Sequence, residues 1–122
     1  MINERPHKKL ELWKESIELV VLVYEITKKF PKEEEYGLKG QLRRASVSVP
    51  SNISEGLTRY TIKDKIHFLN ISDGSLSEID TQLEISLRLH YISIDDFELI
   101  MKKVTLVEKL LSGLIRKLKN DA

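Results

Sequence analysis

The sequence predicts an all-α protein, an up-and-down antiparallel four-helix bundle whose second helix is kinked at Pro50. Three observations carry this expectation. Apolar residues recur at helical spacing in four segments, about 10–29, 33–56, 61–90 and 94–119. Alternating segments bounded by Asn-Gly or Asp-Gly hairpin signals are missing. The four segments have similar lengths, roughly 30 to 45 Å at about 1.5 Å per residue. They are joined by short connections, which favour antiparallel neighbours. At 122 residues the chain fits a single domain, 1–122, able to bury a core without staples.

The first helix carries Trp13, Ile17, Val20, Tyr24 and Thr27 at alternating steps of four and three. A second row, Leu12, Leu19, Val23 and Ile26, lies beside it, and Phe30-Pro31 ends the segment because the residue before proline is pushed out of the helical region. The second helix opens on Glu33, Glu34 and Glu35, which suit the positive end of a helix dipole. Its stripe is Leu38, Leu42, Ala45, Val49 and Ile53. Pro50 removes a donor and crowds the Ser46 carbonyl, at a cost of about 3 kcal/mol in an unrelieved helix. A kink is expected there, with Ser46 or Ser48 hydroxyls serving the freed backbone groups; a break restarting at Ser51 or Asn52 is the alternative. Gly56 is the expected C-terminal cap.

Thr61 caps the third helix, with Asp64 placed to reach back. Leu69, Ser72, Leu76, Ile79, Leu83 and Leu87 continue its stripe to about His90. Ser93 caps the fourth, with Asp95 and Asp96 in its first turn, and Ile100, Val104, Val107, Leu111, Leu114 and Leu118 follow in four-three alternation.

An apolar content of 41% beside 32% charged residues argues against disorder. Net charge is only +1, so polyanion binding would have to come from local clustering. Cysteine is absent, which removes disulfides, thiolate metal sites and thiol nucleophiles. The N-terminus is polar without an apolar signal core, and the longest apolar run, Leu19 to Tyr24, is far short of a membrane span. A cytoplasmic protein without membrane association is expected.

Apolar residues exceed what one bundle face needs. Phe97, Leu99, Met101, Leu106, Leu110 and Ile115 flank the fourth heptad, and the first helix is apolar almost all round from Leu19 to Tyr24. A second copy of the chain would cover the excess; a wide, filled monomer core is the other reading. Gly74-Ser75, with Ser72 and Ser77, permits close approach of a helix, either from another copy or from within the bundle.

No catalytic constellation emerges. Glu4-x-x-His7 precedes the first helix and Asp64-x-x-His67 stands alone, so the paired Glu-x-x-His motifs of a di-iron bundle are missing and no metal or cofactor is expected. Gly37 and Gly40 lack P-loop spacing, and no Gly-x-Ser-x-Gly elbow occurs. Asp80 and Glu84, one turn apart, read as solvated helix-face charge. No small-molecule substrate is evident.

The informative feature is basic. Lys39, Arg43, Arg44, Arg59, Lys63 and Lys65 face only Glu55 and Asp64 between Leu38 and Lys65, a local excess of +4. Tyr60 sits among them. Such a cluster suits phosphate contacts without base readout. The competing reading pairs Arg43 or Arg44 with carboxylates such as Glu78 or Glu84 on a neighbouring helix.

Several motifs resemble a known family. They are Leu12-Trp13-Lys14, Phe30-Pro31-Lys32-Glu33-Glu34, Gly37-Leu38 leading to Gln41-Leu42-Arg43-Arg44-Ala45, and Val47 to Gly56 with Arg59. Phe68-Leu69, Gly74-Ser75-Leu76 with Glu78, and Thr81-Gln82-Leu83-Glu84 continue the pattern across nearly the whole chain. Together they are similar to the bacterial four-helix-bundle proteins named after the intervening sequences of 23S rRNA genes. That resemblance implies a ring-like homopentamer. It also implies kinship with the accessory proteins of diversity-generating retroelements, basic pentamers that bind nucleic acid. It implies no settled molecular function. One departure is Asp73, where the family usually carries a basic residue, and this lowers the positive charge. The expectation is a non-enzymatic homo-oligomer that binds RNA or another nucleic acid. The alternative is an assembly module for a protein partner, without nucleic-acid binding. An enzyme is the third reading.

Overall fold

The computed structural model describes His7 and residues 10–121. Glu4 and the rest of the polar segment before Leu10, His7 apart, lie outside them. Among the described residues four helices follow in chain order: α1 (Glu11–Thr27), α2 (Leu38–Leu57), α3 (Ile62–Arg88) and α4 (Ile94–Asn120), with a 3₁₀ turn at Lys32–Glu34. Each helix packs on its chain neighbour, α4 returns to α1, and α2 with α3 forms the most extensive pair. Paired positions run in opposite directions: Gly56 approaches Lys65, Ser72 bonds to Val49, Ser75 to Ser48 and Gln82 to Gln41. The bundle is therefore antiparallel and up-and-down.

The core combines Leu19 and Val23 of α1, Leu42, Val49 and Ile53 of α2, Leu69, Ile79 and Leu83 of α3, and Ile100, Val107 and Leu111 of α4, all buried. In α1 the fold separates the two apolar rows. Leu12, Leu19, Val23 and Ile26 face the core, whereas Trp13, Ile17 and Val20 are half-buried and Tyr24 is exposed. Periodicity identifies both rows, but only the positions of α2 and α4 decide which one is covered.

The junction between α1 and α2 also departs from expectation. Glu33, Glu34 and Glu35 precede α2 rather than forming its first turn. Gly37, at φ −102° and ψ −118°, steps out of the helical path before Leu38. A Cβ at Gly37 would lie 2.6 Å from Glu34 Oε1, so the glycine leaves room for that carboxylate. Glu34 Oε1 accepts from the Leu38 N–H at 2.9 Å, so an acidic residue does serve the helix start, but from outside it. Its other oxygen accepts from the Tyr91 hydroxyl at 3.1 Å, tying this junction to the α3–α4 turn.

α2 runs unbroken across Pro50, so no restart at Ser51 or Asn52 occurs. The Ser46 and Ser48 hydroxyls do not serve the carbonyl that Pro50 frees. Ser46 Oγ donates to the Arg43 carbonyl at 2.8 Å, the backward reach usual for a helical serine, and Ser48 Oγ accepts from Asn52 and bonds to Ser75. Gly56 is no cap. It is buried within α2, which ends at Leu57 with Thr58 as cap, and a Cβ on it would come 3.0 Å from the Lys65 carbonyl and 3.1 Å from Phe68 Cβ. Ser72 and Ser75 are buried against α2, whereas Gly74 is exposed with nothing within 4 Å of a built Cβ. The small residues of α3 thus divide between an internal seam and the open surface.

Thr61 and Ser93 cap α3 and α4, their hydroxyls accepting from the Asp64 and Asp96 N–H groups at 3.0 and 3.1 Å. α3 ends two residues before His90. His90 has φ 63°, its N–H donates to the Leu87 carbonyl and that of Tyr91 to the Ser86 carbonyl, the paired bonds of a Schellman ending. Part of the excess apolar surface on α4 is absorbed, since Phe97, Met101, Leu110 and Ile115 pack partly buried on the core. Leu99 remains 54% exposed and Val21 of α1 56%.

Across α1 and α4, Lys103 Nζ meets Glu15 Oε1 at 2.7 Å and Glu18 Oε2 at 2.8 Å. The hydrogen bond from Lys103 Nζ, together with its positive charge, holds the Glu18 carboxyl below its ordinary value. The same carboxylates, Glu15 first, hold the Lys103 ammonium above its own.

Two outcomes follow for thermal unfolding. Gly56→Leu is expected to lower stability, because overpacking the seam costs roughly 1–3 kcal/mol. Gly74→Ala is expected to raise it by about 1 kcal/mol, the helix-propensity difference at an open position. For the α1–α4 bridge, a carboxyl with a lowered folded value stabilises above its ordinary value of 4.5 and ceases to do so as pH falls below it. Lys103→Gln should therefore unfold more readily than wild type at neutral pH, with the difference narrowing in acid denaturation below that value.

Candidate nucleic-acid interface

Six basic residues fall within one stretch of the sequence, but the fold separates them. Lys39, Arg43 and Arg44 lie in the first two turns of α2, beside the end of α1. Arg59, Lys63 and Lys65 lie at the α2–α3 turn, the opposite end of the bundle, about 20 Å away at 1.5 Å per residue.

Within the first group, two residues make contacts inside the bundle. Arg43 Nε donates to Thr27 Oγ1 at 2.9 Å, one of its terminal nitrogens donates to the Tyr24 carbonyl at 3.3 Å, and its guanidinium lies 4.4 Å from the Tyr24 ring centroid. The partners are a hydroxyl, a carbonyl and a ring rather than the carboxylates of Glu78 or Glu84; Glu84 pairs with Arg88 at 2.9 Å instead. Lys39 bonds to Glu35 at 3.0 Å with its side chain only 15% exposed. Arg44 is exposed, and among the described residues no carboxylate pairs with it.

At the other end, Arg59 is held on two sides. A terminal nitrogen bonds to Glu55 Oε1 at 2.9 Å, and the guanidinium lies 4.6 Å from the Phe68 centroid. Its Nε is buried without a partner. Lys65 Nζ makes a long 3.4 Å contact with the Leu57 carbonyl. Lys63 is exposed and free of carboxylates among the described residues.

Tertiary structure adds three cations that sequence reading passed over. Asp73 and Asp80 of α3 line one groove with Met101 and Glu108 of α4. Continuing that antiparallel register brings Arg116 and Lys119 level with Lys65 and Ile62. Arg116, Lys117 and Lys119 are all exposed, and among the described residues none pairs with a carboxylate. Their signal in the sequence is a basic last helical turn, ordinarily read as a complement to the helix dipole. Only the bundle topology shows that it adjoins the α2–α3 turn. Asp73 itself lies away from this end, in the α3–α4 groove.

Residues 8–113 match the family described as 23S rRNA-intervening sequence protein. The chain belongs to that family. A solved structure similar to this 23S rRNA-intervening sequence protein is a protein with unknown function from the S23 ribosomal protein family of Bacteroides thetaiotaomicron VPI-5482. The two share 27% identity, the match covers 86% of this chain and 95% of the other, and the TM-score is 0.78. No curated protein matches the chain. The likeness to that structure agrees with the all-α bundle, and family membership brings no assigned chemistry with it. Among the described residues no group of three His, Asp or Glu side chains is arranged to hold a metal ion, and no helix is long and apolar enough to cross a membrane. His67 is exposed, with its ring edge-on to Phe68, and the His7 ring packs on Trp13 at 5.3 Å.

The two ends should respond differently to alanine. Arg43→Ala removes a cation–π contact and two hydrogen bonds, with an expected loss of about 1–2 kcal/mol in denaturant unfolding. Lys63→Ala should leave stability within about 0.5 kcal/mol of wild type.

Proposed function

We propose that this 23S rRNA-intervening sequence protein is a non-enzymatic, cytoplasmic homo-oligomer that binds RNA through phosphate contacts at the α2–α3 end of its bundle. The observation that carries the reading is the gathering of Lys63, Arg116, Lys117 and Lys119 at one end of the molecule, exposed and, among the described residues, unpaired. Arg59 and Lys65 border them, and Arg44 is a separate outlying cation. Lys39 and Arg43, held in internal contacts, serve the fold in this reading. Cations free of carboxylates retain their full value toward phosphate, because no local ion pair must be broken first. A cluster without convergent acids, nucleophiles or glycine-rich loops suits binding and not bond-breaking.

Assembly is supported by uncovered apolar surface. Trp13, Ile17, Val20, Val47 and Pro50 line a groove between α1 and α2, and Leu99 and Val21 stand exposed on the neighbouring faces. A homopentameric ring is the assembly that the family resemblance leads us to propose. The same groove supports a second reading, an assembly module whose partner is another protein and which binds no nucleic acid.

Titration of a structured RNA at several salt concentrations separates the two. The expected result is an affinity that falls linearly in log–log form with salt, and a slope reduced by about one for each phosphate-contacting cation removed among Lys63, Arg116, Lys117 and Lys119. No binding at low salt, together with an oligomer in light scattering, would establish the second reading. A monomer at micromolar concentration would end the oligomer in either.

A further inference from the structure

We infer that Tyr60 is a stacking platform for an unpaired base, so that the α2–α3 turn takes single-stranded nucleic acid in preference to duplex. The inference rests on the phosphate-binding reading above and adds the class of strand. Its starting point is an aromatic ring that the fold does not use. Tyr60 is 101% exposed. Tyr24 lies under the Arg43 guanidinium, and Tyr91 tilts against Phe30 and donates to Glu34. Tyr36, 93% exposed, follows directly on Glu33, Glu34 and Glu35, whose carboxylates repel phosphate. Tyr60 is thus the uncovered ring that stands in cationic surroundings, between Arg59 and Lys63.

The ring is free, but the backbone on either side of it is held. Thr58 N–H and hydroxyl both bond to the Glu55 carbonyl, at 3.3 and 2.8 Å, and Arg59 N–H donates to the Gly56 carbonyl at 3.1 Å. On the other side Thr61 caps α3, and its carbonyl accepts from Lys65 N–H at 3.0 Å. Arg59 is pinned by Glu55 and Phe68. The turn therefore presents a ring with two side-chain torsions on a fixed base, which keeps the entropy lost on stacking small. Every base has a π-face, so such a ring is indifferent to sequence. Inside a duplex those faces are already stacked on one another, so apart from the two end pairs only unpaired bases can use it. Lys63, with the last turn of α4, supplies cations for the phosphates on either side.

The test measures fluorescence anisotropy of the full chain with a labelled single-stranded RNA of about ten nucleotides and with a blunt duplex of the same length, at matched salt. Wild type is expected to bind the single strand more tightly. Tyr60→Ala should weaken single-strand binding about five-fold or more with an unchanged salt slope, since no phosphate contact is lost. Tyr60→Phe and Tyr60→Trp should retain binding. Wild-type affinity in Tyr60→Ala, or equal affinity for the two RNAs, would overturn the platform while leaving phosphate binding in place. Absence of any RNA binding at low salt would overturn the platform and the phosphate-binding reading together. A change in the light-scattering mass of Tyr60→Ala would assign the ring to a contact between copies and likewise overturn the proposal.

Discussion

A close seam between α2 and α3, built from residues with little or no side chain, is the constraint on which the rest of the architecture depends. Gly56 admits the Lys65 carbonyl and Phe68 to within about one methyl group of its backbone, and Ser72 and Ser75 bond across to α2. These contacts fix the antiparallel register of the pair, and that register fixes which residues share an end. The hydroxyls that the seam and core bury do not go unsatisfied. Ser16, Thr27, Ser46 and Ser86 donate to carbonyls of their own helices, and Ser72 donates to the Val49 carbonyl. Bonding of this kind is what allows polar atoms to occupy a tightly packed interface without a desolvation penalty.

The outer helices are attached by longer side chains. Lys103 bridges α4 to two carboxylates of α1, and Arg43 reaches from α2 to Thr27 and Tyr24 at the end of α1. Glu34 joins the two interhelical connections at one end of the bundle by accepting from both Leu38 N–H and the Tyr91 hydroxyl. That bond raises the Tyr91 phenol above its ordinary value, with burial and the nearby carboxylates adding to the shift. The end of the molecule carrying Glu33, Glu34 and Glu35 is accordingly tied together by internal polar contacts. The opposite end, with the α2–α3 turn and the end of α4, leaves Lys63, Arg116, Lys117 and Lys119 to solvent. Lys63, Arg116, Lys117 and Lys119 thus form a local group of exposed cations in a protein whose net charge is only +1.

The four helices, their caps at Thr61 and Ser93, and the core stripes of α2, α3 and α4 were legible because each depends on spacing along one segment. Three-four periodicity and a hydroxyl three residues before a backbone donor are local properties. Where a residue's role depended on a neighbour, local reading failed. Gly56 resembles a helix cap until α3 is laid against it. The two apolar rows of α1 are equivalent until α2 and α4 choose between them. Glu34 is a first-turn acid until Gly37 turns the chain.

By itself, then, the amino-acid order determined the fold class, the number of helices and the presence of surplus cations, all of which follow from short-range geometry. The arrangement of those cations was decided only by the tertiary structure. A run of basic residues along one helix and its following turn reads as a single patch, yet a helix of twenty residues carries its two ends far apart. Antiparallel packing then brings to one of those ends the tail of α4, more than fifty positions away in the chain. Proximity created by helix packing leaves no mark in local periodicity, which is why the residues that define the candidate surface became visible only in three dimensions.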